Sequence, residues 1–310
     1  MRAAFFKALE EAAARDPRVV LLTADLGFGT IESFATRFPD RFVNVGVSEQ
    51  NLAGIAAGMA LSGKVVFAYS IGNFPTLRCL EHIRNDICYH GANVKIVTSG
   101  GGLTYGSLGM SHHATEDLAI MRALPGMVVD APGDPFEAAA ATGCLARLDG
   151  PAYLRLGRNN EPAVHREPPH YEIGRAIRVR EGGDITLIAT GSVLATAAVA
   201  ADRLGADGIT ARVLSMHTVK PLDTAAVLEA ARQTHAIFTI EEHSIVGGLG
   251  GAVAETLAES AVGPVTFRRI GLPDQYLSTA GSQDFLRTQA GLSADAIVSA
   301  VTTAMAPQFR

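Results

Sequence analysis

Short runs of β-branched residues, each followed by a longer stretch with helical spacing, recur along nearly all of this 310-residue chain. VVLLTAD reads as a buried strand, IESFATRF as a helix ended by Pro39, RFVNVG as a short strand, and SEQNLAGIAAGMALSG as a helix with small residues on most faces. KVVFAYS, NVKIVTS, MVVDAP and PAYLRLG continue the strands, with helices through LRCLEHIRNDICYH, TEDLAIMRAL and DPFEAAAATGCLARL. Strands that are apolar on both faces and separated by helices bury themselves best in a sheet covered on both sides. The pattern therefore predicts a parallel, doubly wound α/β sheet.

That rhythm breaks from Gly157 to Gly174, where GRNNEPAVHREPPHYEIG is polar, carries Pro162, Pro168 and Pro169, and has no apolar period. A linker belongs there. Beyond it DITLIAT, ITARVLSM, AIFTIEE and VTFRRIG alternate again with helical patterns, which predicts a second, smaller α/β domain. The expected division is a first domain over 1–160, a linker over 161–174 and a second domain over 175–310.

Composition narrows the function. A net charge of −5 and no polybasic run argue against a nucleic-acid backbone as partner. No apolar run reaches the roughly 20 residues of a membrane helix. MRAAFFKALEEAAARD is an amphipathic helix carrying acids rather than a signal peptide. Cys79, Cys88 and Cys144 are scattered without metal-ligand spacing, which suits a reducing compartment. The expectation is a soluble cytoplasmic protein.

The most informative window is NVGVSEQNLAGIAAGMALSGKVVFAYS, residues 44 to 70. Glu49 falls where a strand passes into a Gly- and Ala-rich helix. Ser48 is placed to cap that helix, and a carboxylate in its first turn meets exposed amides and a favourable dipole. On spacing alone, Glu49 reads as a capping acid before a functional one.

The window resembles the pyrimidine-binding domain of the transketolase family, in which a Glu-Gln or Glu-His pair follows a short strand. That resemblance runs over most of the chain and implies two doubly wound α/β domains, a thiamine-diphosphate pyrimidine-binding domain followed by a smaller transketolase C-terminal-like domain. It implies that Glu49 hydrogen-bonds a ring nitrogen of the cofactor's aminopyrimidine. A carboxyl in a dry pocket keeps a proton more easily, and sharing it with the ring favours the tautomer that activates the thiazolium carbon. In TADLGFG, the resemblance implies that Leu26 supports the bent cofactor, with Asp25 near it. In SIGNFPTLRCLEHIRND it implies that Phe74 stacks on the pyrimidine, while Ile71 stands where the family has another Phe. In GGLTYGSLGMSHHATEDLA it implies that His112 contacts the donor's hydroxyls, a task for which imidazole is suited near neutral pH; His113 is expected to pack or cap. Arg2 and Arg158 match phosphate-contacting arginines, and a guanidinium reads phosphate bidentately. Without the resemblance, Leu26 and Phe74 read equally well as core residues, and the two arginines as solvated charges.

A metal reading of His112/Glu116 and His113/Asp117, spaced i,i+4 on one expected helix, lacks the H-E-x-x-H pattern and a third ligand, so no metal site is assigned to this chain. GGLGG at Gly247–Gly251 lacks the third small residue of a dinucleotide fingerprint, and GVSEQ lacks the closing glycine of a nucleophile elbow.

Leu108 stands where the family has Asp, and Gly100 and Gly29 where it has a phosphate-side His and Ser. Ordinary pentose phosphates are thereby placed in doubt as substrates. No Gly-Asp-Gly motif for the diphosphate and its metal is present, and Mg²⁺ needs oxygen ligands around the phosphates. The resemblance therefore implies a split enzyme. A second, N-terminal subunit would hold the diphosphate and Mg (or Ca), in an α2β2 assembly that moves a two-carbon ketol unit from a ketose or ketose phosphate to an aldehyde. Two alternatives stay open: a 2-oxoacid dehydrogenase beta-type or deoxyxylulose-phosphate-synthase-like subunit using pyruvate-like donors, and a non-catalytic paralogue.

Overall fold

The computed structural model describes residues 1–158 and 160–306. Seven strands make the first sheet: β1 (Val19–Thr23), β2 (Phe42–Asn44), β3 (Val65–Ile71), β4 (Val94–Ser99), β5 (Val128–Asp130), β6 (Ala152–Leu156) and β10 (Thr218–Lys220). Five make the second: β7 (Ile177–Arg180), β8 (Ile185–Thr190), β9 (Ala211–Ser215), β11 (Ala236–Ser244) and β12 (Thr266–Leu272). The orders are β10-β5-β6-β4-β3-β1-β2 and β12-β11-β8-β9-β7.

Both sheets are parallel except at one edge, where β10 runs antiparallel to β5 and β7 antiparallel to β9. Helices cover both faces of each sheet. On the first sheet, Phe5, Leu9, Phe34, Phe67 and Leu145 form one apolar layer, and Leu52, Ala56, Ile83, Ile96 and Leu118 the other. β1, β4 and β6 are buried at every residue, which is why they read as unbroken apolar runs rather than alternating ones.

β10 belongs in sequence to the second half of the chain yet closes the first sheet. Thr218 pairs with Asp130 and Lys220 with Val129. The Lys220 ammonium then donates to the carbonyls of Arg122 and Leu124, at 2.9 and 2.6 Å. Residues 161–176 run without helix or strand, but Tyr171 is anchored: its hydroxyl donates to Asp130 at 2.8 Å and its ring stacks on His217.

A buried polar knot joins the halves a second time. The Glu242 carboxylate accepts hydrogen bonds from the Leu103 amide at 2.7 Å, Gln283 Nε2 at 3.0 Å and Arg287 Nε at 2.8 Å. Arg155, paired with Asp117 at 2.8 Å, donates to the carbonyls of Ala114 and Glu242. The loop after β4 is thereby pinned between the sheets, and its glycines make room for the knot. A Cβ on Gly101 would lie 2.8 Å from Arg155 Nε, and one on Gly102, whose φ is +63°, 2.6 Å from Glu242 Cγ. No helix among the described residues is long and apolar enough to cross a membrane.

Candidate active site

The carboxyl ends of β1 to β4 and their following loops bring several of the expected residues to one end of the first sheet, where open parallel sheets place their ligands. Glu49 opens the helix Glu49–Leu61 and is 2% exposed. Its environment is an apolar seam lined by Leu52, Ala68, Pro75, Ile83 and Ile96. Ser48 occupies the cap position but its side chain makes no capping hydrogen bond, so the expected serine cap is absent. Its φ of −150° and ψ of 76° differ from the extended cap geometry that aims a hydroxyl back at the first turn.

The partner of Glu49 is Arg78, whose Nη1 lies 2.5 Å from Glu49 Oε2. The same guanidinium sits 5.2 Å from the Phe74 ring centroid, and the Phe74 ring meets the His112 ring edge-on at 5.3 Å. Glu49, Phe74 and His112 thus form a continuous cluster through Arg78. Sequence reasoning passed over Arg78. The available signal was its place four residues after Phe74, the spacing at which helical side chains meet.

The segment around Arg78 is not the single helix expected through LRCLEHIRNDICYH. It breaks into short turns at Asn73–Thr76 and Leu80–His82 and a π-helical turn at Ile83–Cys88. Pro75 cannot continue a regular helical ladder, and π turns widen the backbone locally.

His112 ends a short 3₁₀ turn, Met110–His112, and its Nδ1 lies 3.1 Å from Ser111 Oγ. The helix expected to carry His112, His113, Glu116 and Asp117 together does not form. Ala114 pairs with Gly102 in an antiparallel bridge, so the chain is extended there and the helix starts only at Asp117. Asp117 faces Arg155 and Tyr153 instead, and His113 is buried with its Nε2 unpartnered. Burial holds His113 below the ordinary histidine range. A cavity of 480 Å³ opens beside this turn, bordered by Asn73, Met110, His113, Pro273 and Tyr276.

Asp25 and Leu26 stand one loop away. Asp25 takes a left-handed φ of +58°, and its carboxylate accepts from Asn44 Nδ2 at 2.9 Å. Leu26 is half-buried and tied through its backbone to the Thr23 hydroxyl. Arg2 and Arg158 lie near one another, since the Met1 amine donates to the Arg158 carbonyl at 3.0 Å. Arg158 faces Asp284 at 3.7 Å and Glu161 at 3.9 Å, and both arginines have a buried Nε with no hydrogen-bond partner. Leu108 is 56% exposed at the end of the turn Gly106–Leu108.

Residues 1–163 match the family model described as transketolase, pyrimidine binding domain, and residues 174–297 that of the transketolase C-terminal domain. The chain belongs to the transketolase family. This transketolase-family chain is 40% identical over 301 residues to a 6-deoxy-6-sulfo-D-fructose transketolase subunit of a Clostridium species, covering 97% of this chain and 92% of that one. It is 38% identical over 311 residues to a 1-deoxy-D-xylulose-5-phosphate synthase of Thermomicrobium roseum, covering 99% of this chain but only 49% of that protein. A solved split-gene transketolase, described as an inactive beta4 tetramer, superposes with a TM-score of 0.89 at 42% identity, covering 98% of this chain and 97% of the other. A transketolase-type transferase follows, of a family that implies dependence on thiamine diphosphate.

The residues present fit the aminopyrimidine end of that cofactor. Glu49 would present a buried carboxyl to a ring nitrogen and Phe74 an aromatic face, beside a seam lined by apolar side chains. Among the described residues, no three of His, Cys, Asp and Glu gather as a metal-ligand group.

Proposed function

We propose that this chain is the pyrimidine-gripping subunit of a two-subunit transketolase-like enzyme, transferring a two-carbon ketol unit from a ketose, phosphorylated or not, to an aldehyde. The observation that carries the reading is the buried Glu49 carboxylate in one contiguous cluster with Phe74 and His112. Thiamine diphosphate, when bound, supplies a nucleophilic carbon and an electron sink for carbon–carbon cleavage. Glu49 holds the proton at the pyrimidine ring nitrogen. Phe74 would offer its face to the ring, Leu26 would support the cofactor with Asp25 beside it, and His112 would move the proton of a donor hydroxyl.

Arg78 pairs with Glu49 Oε2 and lies over the Phe74 ring, so its guanidinium borders the place proposed for the pyrimidine. Arg2 and Arg158 serve the far end of a sugar or sugar phosphate.

The division into a first domain over 1–160, a linker and a second domain is part of this reading. So is a partner subunit that holds the diphosphate and Mg or Ca in an α2β2 cytoplasmic enzyme. The Clostridium relative, named as a subunit, and the split gene of the solved transketolase support a partner. The test is reconstitution with the diphosphate-binding subunit, thiamine diphosphate and Mg²⁺, with ketoses and hydroxypyruvate offered as donors. Ketol transfer lost on Glu49→Ala supports the reading; a pair that yields no product from any of these donors overturns it.

A second reading has specific support in the synthase relative, whose similarity spans this whole chain. Under it the donor is pyruvate. Preference for pyruvate over hydroxypyruvate in the same assay would replace the first reading by the second.

A further inference from the structure

A histidine that moves a proton must keep its ring in one orientation while its charge changes. The outer torsion of histidine has a broad, roughly two-fold profile, so the ring turns unless its nitrogens or its faces are engaged. At His112 both are. Nδ1 lies 3.1 Å from Ser111 Oγ, and the ring meets Phe74 at a centroid distance of 5.3 Å and an interplanar angle of 68°. Ser111 is the hydrogen-bond partner of the ring among the described residues, and it engages Nδ1 alone.

The backbone holds Ser111 from two sides. Gly109 enters the turn Met110–His112 at φ +81° and ψ −175°, a conformation that L side chains rarely adopt. The His112 amide then donates to the Gly109 carbonyl at 3.0 Å and closes the turn. The second tie comes from the segment that carries Phe74. Asn73, which opens the short turn Asn73–Thr76, donates from Nδ2 to the Ser111 carbonyl at 3.4 Å. The Leu77 amide donates to the Asn73 carbonyl at 3.1 Å. Ser111 is thus linked through its carbonyl to the element bearing Phe74 and through its hydroxyl to the ring that Phe74 touches.

The chemistry of the pair suits proton exchange. A hydroxyl donates once and also accepts, so Ser111 Oγ satisfies Nδ1 of a neutral imidazole in either tautomer. In imidazolium both ring nitrogens carry protons, and the same oxygen accepts from Nδ1. Rotation of one O–H bond therefore keeps the hydrogen bond through gain and loss of a proton. With Nδ1 engaged, Nε2 is the ring nitrogen left to exchange one. We propose that Ser111 is a positioning residue for His112, fixing the ring through Nδ1 and reserving Nε2 for a hydroxyl of the sugar donor. The inference rests on the ketol-transfer reading and adds to it which nitrogen acts and what holds it.

Two measurements test it. In long-range proton–nitrogen correlation spectra of the labelled chain alone, the His112 ring signals are identified by their loss in His112→Asn. Ser111→Ala should move the Nδ1 signal, and Ser111→Thr, which keeps the hydroxyl, should leave it close to its wild-type position. In the reconstituted two-subunit enzyme, Ser111→Ala should lower kcat about three- to tenfold, the loss of one hydrogen bond, with KM little changed. Ser111→Thr should restore kcat. Added to His112→Asn, Ser111→Ala should lower kcat no further, because the serine acts through the histidine. An unmoved Nδ1 signal, a wild-type kcat in Ser111→Ala, or a full further loss on the His112→Asn background overturns the inference and leaves ketol transfer standing. A wild-type pair that transfers no ketol unit overturns both.

Discussion

Arg78 Nη1 lies 2.5 Å from Glu49 Oε2, and its guanidinium covers the Phe74 ring at 5.2 Å. One side chain, half in water, therefore holds the buried acid and lies against the aromatic face proposed for the cofactor. Removing Arg78 strands a buried carboxylate, whereas removing the acid leaves a guanidinium that water can solvate. Arg78→Gln is expected to lower stability by about 2–3 kcal/mol, Glu49→Gln by much less, and the double variant to regain most of the loss. Urea unfolding of the four proteins measures the cycle; equal losses from the two single variants would show that the pair does not stabilise the ligand-free chain in this way.

Glu49→Gln keeps the side chain's size and its place at the helix start. In the reconstituted enzyme it should cut turnover by roughly 10²–10⁴-fold, the range for losing a positioned acid–base group, while the melting temperature barely moves. A variant retaining more than about a tenth of wild-type turnover would assign proton management to another group.

Lys95 is fully buried, and its amine meets the carbonyls of Leu148 at 2.7 Å and Gly150 at 2.5 Å. Burial lowers its pKa from the ordinary lysine range to about 7, so above pH 7 it is a neutral amine with two protons for two carbonyls. The unfolded chain then binds the extra proton, and stability rises with pH. Relative to Lys95→Met, wild-type stability should increase between pH 7 and pH 10 and be flat below pH 6. Chemical denaturation at pH 6, 7.5 and 9 provides the comparison; parallel curves would place the ammonium form in the fold.

Glu242 fastens the loop after β4 to Gln283 and Arg287 of the other half. Glu242→Ala leaves the nearly buried Arg287 guanidinium with only the Ser192 hydroxyl and a carboxylate of Asp284 4.0 Å away, at a cost of about 3 kcal/mol. The 100–113 loop should also become open to protease in the native state, read by mass spectrometry of the first cut. Loss of stability without new cleavage there would mean that the loop is held by other contacts.

The alternation of apolar runs with helical patterns was enough to read the two-sheet architecture, because β1, β4, β6 and β8 are buried at every position and have no polar face to blur them. β7 escaped that reading: IRVR at a sheet edge is only partly buried and half charged. β10 escaped because three residues carry no period, and its pairing with β5 spans almost ninety positions. At the candidate site, the position of Glu49 at a helix start was legible from its neighbours. Its burial and its hold on Arg78 were not, since both depend on the irregular turns around Pro75. The 3₁₀ turn at His112 was likewise hidden, because the Gly102–Ala114 bridge that prevents a helix joins residues twelve apart.

β10 also governs how the chain can be divided. A cut at the polar stretch after Gly157 would separate β5 from its outer neighbour, exposing an unpaired strand edge with Asp130 stripped of Tyr171 and His217. The two halves are therefore poor candidates for independent expression. Chimaeras between relatives should exchange residues 217–220 together with the first sheet, so that the splice follows spatial neighbours rather than chain order.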